Sequence, residues 1–262
     1  MTFITSTPFK KSLLALVGAA CLGAASLAHA DTTLTPNYTL AQLVNDKAFK
    51  LVVGDKEFSN FDWHANGFFN DATGGLWDGM DLAARINVHG ELTNSGNYGL
   101  DFTGPLQAHP GDSASAQLTY TVRVLNPNPN GVSYYLSDFH LDGDPLVSGP
   151  NGQAVVRESV SDLTNTLIPL NPVGPLEVSQ YVPGASVFND EAFTQPGLYP
   201  TVAEIETTIL LSAAIPGTNA SVLHFQESFS QAAIPEPSSY ALALVGIAGL
   251  GLARRRVVRQ GA

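Results

Sequence analysis

Residues 116–124 read Ala-Gln-Leu-Thr-Tyr-Thr-Val-Arg-Val. Leu118, Tyr120, Val122 and Val124 fall on one side of an extended chain, with Gln117, Thr119, Thr121 and Arg123 on the other, because successive side chains of a strand point to opposite faces. A helix, at 3.6 residues per turn, scatters those four apolar residues around its circumference. The segment is therefore a strand with one buried and one wet face. Comparable stretches occur at 49–53, 57–63, 83–89, 98–102, 132–141, 153–160, 176–182, 201–213 and 221–230. Between them lie turn residues: Gly54-Asp55, Asn94-Ser95-Gly96-Asn97, the run Asn126 to Gly131, Asp142-Gly143-Asp144-Pro145 and Pro216-Gly217. Nine or ten short strands joined by such turns predict an all-β sandwich, of which a jelly roll is one form. One short helix is expected over Leu40 to Val44, capped by Thr39, with Leu40, Leu43 and Val44 on a shared face.

The two ends do not fit this pattern. Lys10 and Lys11 precede an apolar stretch from Leu13 to Leu27, closed by Ala28-His29-Ala30. A positive start, a short apolar run and small residues at Ala28 and Ala30 predict a signal peptide over 1–30, cut by signal peptidase. The mature chain then starts at Asp31 and has no cysteine, because Cys21 is the only one. Disulfides, thiolate zinc sites and cysteine nucleophiles are excluded from such a body. It must rely on a core large enough to stand alone.

The body over 31–233 holds six Lys or Arg against 22 of the 23 acids, a formal charge of −16. A surface so acidic repels phosphate backbones and excludes nucleic acid as a partner. Neutral glycans, divalent cations and basic proteins are the compatible classes.

Catalytic signatures are absent from the linear sequence. The histidines, His29, His64, His89, His109, His140 and His224, show no compact ligand spacing. There is no Gly-x-Ser-x-Gly, and Gly111-Asp112-Ser113 reads as a solvated turn. Glu204 and Glu206 share a strand face, as a glycosidase pair could, but equally form the wet side of an amphipathic strand. Asp142 and Asp144, and Asp78 and Asp81, set carboxylates around glycines and are weak calcium candidates. Phe61 and Trp63 share a strand face and read as core, with Trp77 close behind. No catalytic residue and no cofactor are expected, and the body reads as non-enzymatic.

The last segment, 234–262, is of a different kind. Pro235-Glu236-Pro237 keeps the junction extended, because proline cannot continue a helix and biases its predecessor away from one. An uncharged Gly/Ala/Leu-rich stretch follows, expected as a transmembrane helix over 239–253, and a basic tail over 254–262 opens with Arg254, Arg255 and Arg256. Basic residues stay cytoplasmic, so the body faces outward. The sixteen uncharged residues 238–253 would span about 24 Å as a helix, short of the roughly 30 Å hydrocarbon core, a marginal anchor.

These three parts, in order and behind a signal peptide, resemble the PEP-CTERM sorting signal of Gram-negative bacteria. The resemblance implies recognition by an exosortase, with Pro235, Glu236 and Pro237 as recognised residues rather than catalysts. It also implies a precursor held in the inner membrane and facing the periplasm, then passage to the cell surface or the extracellular matrix. The expected function is that of a structural protein of the surface or the exopolysaccharide matrix of a biofilm. A carbohydrate-binding module of the envelope is the alternative, and an envelope hydrolase the more distant one.

Overall fold

The computed structural model describes residues 37–125, 132–164, 168–169, 175–182, 184, 186–213 and 215–234. The signal segment with Ala28 and Ala30, the loop 126–131, and the tail with Pro235, Glu236, Pro237 and Arg254 to Arg256 lie outside the described residues. The first half contains β1 (Tyr38–Thr39), α1 (Leu40–Asn45), β2 (Lys50–Val53), β3 (Lys56–Asn66), β4 (Phe69–Asn70), β5 (Gly75–Leu76), α2 (Gly79–Ala83), β6 (Asn87–Leu92), β7 (Tyr98–Ala108) and β8 (Ser113–Val124). The second half contains β9 (Tyr134–Ser148), β10 (Gln153–Asp162), β11 (Ile168–Pro169), β12 (Leu176–Tyr181), β13 (Ser186–Val187), β14 (Asn189–Phe193), β15 (Val202–Ser212) and β16 (Asn219–Ala233).

The strands form two large antiparallel sheets packed face to face, with β4 and β5 paired as a separate two-stranded ribbon. One has six strands in the order β1-β6-β7-β16-β9-β14; the other runs β13-β12-β10-β15-β8-β3-β2, with β11 also paired to β10. From β7 onward the chain crosses repeatedly between sheets: β7 and β9 belong to the first, β8 and β10 to the second, and β14, β15 and β16 alternate again. The protein is thus an all-β sandwich. Among the described residues no helix is long and apolar enough to cross a membrane.

The interior is aromatic. Phe58 of β3 meets Phe229 of β16 across the sandwich at 5.9 Å between ring centroids, Phe102 stacks on Phe225 at 4.7 Å, and Phe61 stacks on Tyr120 at 5.4 Å. All six rings are at most 1% exposed. Each such ring removes roughly 150–250 Å² of surface from water. That supplies the cystine-free stability the composition demanded. β8 buries Leu118, Tyr120, Val122 and Val124, the four residues its alternation grouped.

Helix α1 follows its sequence signals. Thr39 accepts from the Gln42 amide while the Gln42 side chain accepts from the Thr39 amide, a reciprocal capping box. Trp63 and Phe61 are buried as expected, and Trp63 Nε1 donates to the Gly79 carbonyl at 3.0 Å.

Two local readings are corrected. The segment 83–89 is not one strand: α2 occupies Gly79–Ala83, capped by Asp78, before β6 begins at Asn87. Asp142-Gly143-Asp144-Pro145 is not a turn but the middle of the 15-residue β9. Gly143 faces the core, where a Cβ would sit 3.1 Å from Val178 Cγ2. Pro145 is tolerated because β14 pairs only with Asp138 to Asp142, leaving that side of β9 without a ladder partner at Pro145. Tertiary pairing here overrides turn propensity.

Candidate functional site

Alternation along the six-stranded sheet gives its outer face a consistent polar character. On β16 the core takes Phe225, Glu227 and Phe229, so His224, Gln226, Ser228 and Ser230 point the other way. Register aligns them with neighbours in rows. One row across β6, β7, β16, β9 and β14 reads His89, Asp101, Gln226, Asp142, Asn189; the next reads Glu91, Gly99, Ser228, His140, Glu191. Asp138 and Asp144 extend β9 on the same face.

Six carboxylates and three histidines thus occupy this face, and no lysine or arginine lies on any strand of the sheet. The basic residues are used elsewhere. Lys47 pairs with Asp62, Lys50 with Glu57, Lys56 with Asp55 and Arg157 with Glu177, while Arg85 lies over the Trp77 ring.

A groove of about 680 Å³ opens at this face, lined among others by Asn94, His140, Asp142, Asn189, Glu191 and Gln226. His140 Nε2 lies 2.9 Å from Asp138 Oδ1 and 3.5 Å from Glu191 Oε1. The hydrogen bond to Asp138 raises the pKa of His140, against a smaller opposing effect of burial. Burial works to raise Asp138, but the hydrogen bonds from His140 and Ser230 outweigh it and hold Asp138 below the usual carboxylate range. Asp142 is pushed up, by burial first and partly by Asp144, with His224 opposing. Phe193, two residues along β14 from Glu191, is 62% exposed at the end of this region.

A second cluster sits on β6 and β7. One donor atom each from His89, Glu91 and Asp101 lies within 4.8 Å of the other two. The His89 Nδ1 to Asp101 Oδ1 distance is 3.8 Å, beyond hydrogen-bond reach. The other Asp101 oxygen is 2.7 Å from His224 Nε2, and Thr103 Oγ1 donates to Oδ1 at 3.0 Å. Burial, then the charge of Asp101, raises the pKa of Glu91. His224 reaches Asp101 through a β-bulge in β16, where the pairing with β7 shifts between Val222 and His224. Asp144 holds that bulge by accepting from the amides of Leu223 and His224, at 3.2 and 2.8 Å. Bulges commonly re-aim one side chain in this way.

Inside the sandwich lies a third group. Glu227 is fully buried and accepts from the hydroxyls of Tyr120 and Thr207. Glu158 is also fully buried, on the facing sheet, and neither of its oxygens has a hydrogen-bond partner. Burial and the neighbouring Glu227 push Glu158 well up, and burial lifts Glu227 to about 7.

The residues singled out from the sequence are dispersed. Asp78 caps α2 by accepting from the Met80 amide at 2.9 Å, with Asp81 in the first turn of that helix. Asp142 and Asp144 share the outer face of β9, Asp142 in the groove and Asp144 at the bulge. Glu204 and Glu206 do share a face, that of the eight-stranded sheet, where Glu206 accepts from Gln117 at 2.8 Å. Ser113 opens β8, after a turn closed by the bond from the Asp112 amide to the His109 carbonyl. What sequence reasoning missed is the histidine and carboxylate array. Its members come from five strands and have no spacing in common. The available signal was the polar phase of the alternation in the segments containing 138, 140 and 142 and 224, 226 and 228.

The model of the PEP-CTERM protein-sorting motif matches residues 233–257, the stretch containing Pro235-Glu236-Pro237 and the three arginines. The chain carries that motif, and with it the implication of export and exosortase processing. No curated protein matches the chain. Among solved structures, TmCBM61 in complex with β-1,4-galactotriose is 14% identical with a TM-score of 0.25, covering 64% of this chain and 88% of that one. The Trichoderma harzianum endoglucanase 3 of family GH12 is 11% identical at a TM-score of 0.22, covering 65% and 98%. A family 11 carbohydrate-binding module from Clostridium thermocellum is 8% identical at a TM-score of 0.20, covering 64% and 88%. At such scores these likenesses assign nothing to this chain.

Proposed function

We propose that this chain, which bears a PEP-CTERM sorting motif at 233–257, is an exported, non-catalytic protein of the cell surface or exopolysaccharide matrix that binds polysaccharide on its six-stranded sheet. Signal peptidase cuts after Ala30, the segment 239–253 holds the precursor in the inner membrane facing the periplasm, and an exosortase cuts near Pro235-Glu236-Pro237. The freed sandwich, 31–233, then associates with extracellular glycan.

The observation that carries the binding reading is the groove at the outer face of the six-stranded sheet. Amide and carboxylate side chains (Asn94, Asn189, Gln226, Asp142, Glu191) line it without a single lysine or arginine. Sugars offer many hydroxyls, each both donor and acceptor, and such a lining supplies partners of both kinds. The exposed Phe193 ring adds an apolar platform of the type that packs against a sugar's C–H face. Acidity favours neutral or amino-sugar polymers over anionic ones.

The test is cosedimentation of the full chain with polysaccharide isolated from the producing strain's matrix. Gln226→Ala and Phe193→Ala are each expected to weaken binding about tenfold, the loss of roughly 1.4 kcal/mol from one hydrogen bond or ring contact. Glu206→Gln, on the other sheet, leaves it unchanged. Binding indifferent to both groove substitutions contradicts the reading, and release of reducing ends from the polymer contradicts its non-catalytic part.

A further inference from the structure

We propose that His89, Glu91 and Asp101 bind a divalent transition-metal ion at the outer face of the six-stranded sheet, separately from the polysaccharide groove. The donors are one imidazole nitrogen and two carboxylates, on two strands that are hydrogen-bonded neighbours. His89 and Asp101 face each other directly across the β6–β7 ladder, and Glu91 lies two residues along on the same face. Sheet geometry thus presets the spacing, with no loop to order when the ion arrives.

The gap between His89 Nδ1 and Asp101 Oδ1 is 3.8 Å. Two ligands about 2.0–2.1 Å from a tetrahedral ion stand roughly 3.4 Å apart, so a shift of a few tenths of an ångström closes the site. The Asp138–His140–Glu191 group differs in this respect. There His140 Nε2 is hydrogen-bonded to Asp138 at 2.9 Å, with Glu191 at 3.5 Å, so an ion would first have to displace that hydrogen bond.

The outer shell is also in place. His224 Nε2 holds the second Asp101 oxygen at 2.7 Å, and it does so because the bulge in β16, fixed by Asp144, turns it that way. Ligating carboxylates are characteristically oriented by such a second group, and losing it costs 10–100-fold in affinity. Mixed nitrogen and oxygen donors suit zinc or manganese, whereas calcium takes oxygens only. The surrounding carboxylates, with no lysine or arginine on the sheet, add long-range attraction for a cation.

The full chain, stripped with chelator and titrated calorimetrically with zinc alone, is expected to take up one ion. His89→Ala and Glu91→Gln each lower affinity at least 100-fold, and His224→Gln, acting through Asp101, about tenfold. Far-UV circular dichroism checks the fold of each variant; Glu91→Gln, at a partly exposed position, tests the site even if a change at buried Asp101 unfolds the sheet. Glu206→Gln leaves uptake unchanged. Failure of the stripped wild type to bind zinc overturns the proposal. So does uptake indifferent to His89→Ala and Glu91→Gln, or uptake lost in His140→Ala while His89→Ala retains it.

Discussion

A carboxyl group sealed between two sheets, with no basic side chain donating to it, is stable there only while it keeps its proton. At Glu227 two hydroxyl donors, Tyr120 and Thr207, partly offset this effect of burial, and Glu158 has no donor at all. The consequence is a pH dependence of definite sign. In the unfolded chain Glu227 ionises near 4.5, but in the folded protein only near 7. Between those values the unfolded state binds fewer protons, so the contribution of Glu227 to stability is full below pH 4.5, falls as pH rises, and is lost above 7. A displacement of that size corresponds to about 3 kcal/mol. His140, whose pKa is raised on folding, contributes in the same direction at somewhat higher pH. Chemical unfolding at pH 5 and pH 8.5 measures the loss, and Glu227→Gln is expected to reduce it, leaving the parts that Glu158 and His140 contribute. Equal stability of the wild type at both values contradicts this assignment. Glu158→Met, which replaces an unpartnered carboxyl by an apolar side chain of similar volume, is expected to stabilise the protein at pH 8.5 by about 1–3 kcal/mol.

The strands depend on close backbone approach at one glycine above others. A Cβ on Gly99 of β7 would fall 2.1 Å from the Glu227 carbonyl oxygen of β16. Gly99→Ala therefore forces β7 and β16 apart beneath the polar face. It is expected to lower the thermal midpoint by more than 10 °C, whereas Thr39→Ala, which removes the cap of α1, costs about 1 kcal/mol. A Gly99→Ala protein that melts like the wild type would show that the two strands can separate freely. At this scale the sequence was readable wherever local preference and tertiary demand agreed. Thr39 and Gln42 announced α1, and the strict alternation of 117–124 announced β8. It was unreadable where they disagreed. Asp142-Gly143-Asp144-Pro145 has every mark of a turn, yet pairing on both sides keeps Asp142 in a strand, and the ending of β14 makes room for Pro145. The polar face was hidden for a related reason. His89, Asp101, Gln226 and Asp142 are neighbours only through register, which no spacing along the chain encodes.

At the level of the whole molecule, charge is partitioned by place. The body's few basic residues are spent on the eight-stranded sheet and the helices around it, and the six-stranded sheet keeps carboxylates and histidines alone. An uncompensated acidic face repels nucleic acid and agrees with the proposed binding of neutral glycan and a metal ion. The sorting motif at 233–257 begins at Ala233, the final residue of the last strand, β16. Cutting there would leave every described strand intact. The decisive measurement is the intact mass of the protein recovered from cells with and without their exosortase. A mature species beginning at Asp31 and lacking residues 238–262 is expected when the enzyme is present, with those residues retained when it is absent. A protein that keeps residues 238–262 in the presence of the enzyme contradicts this expectation.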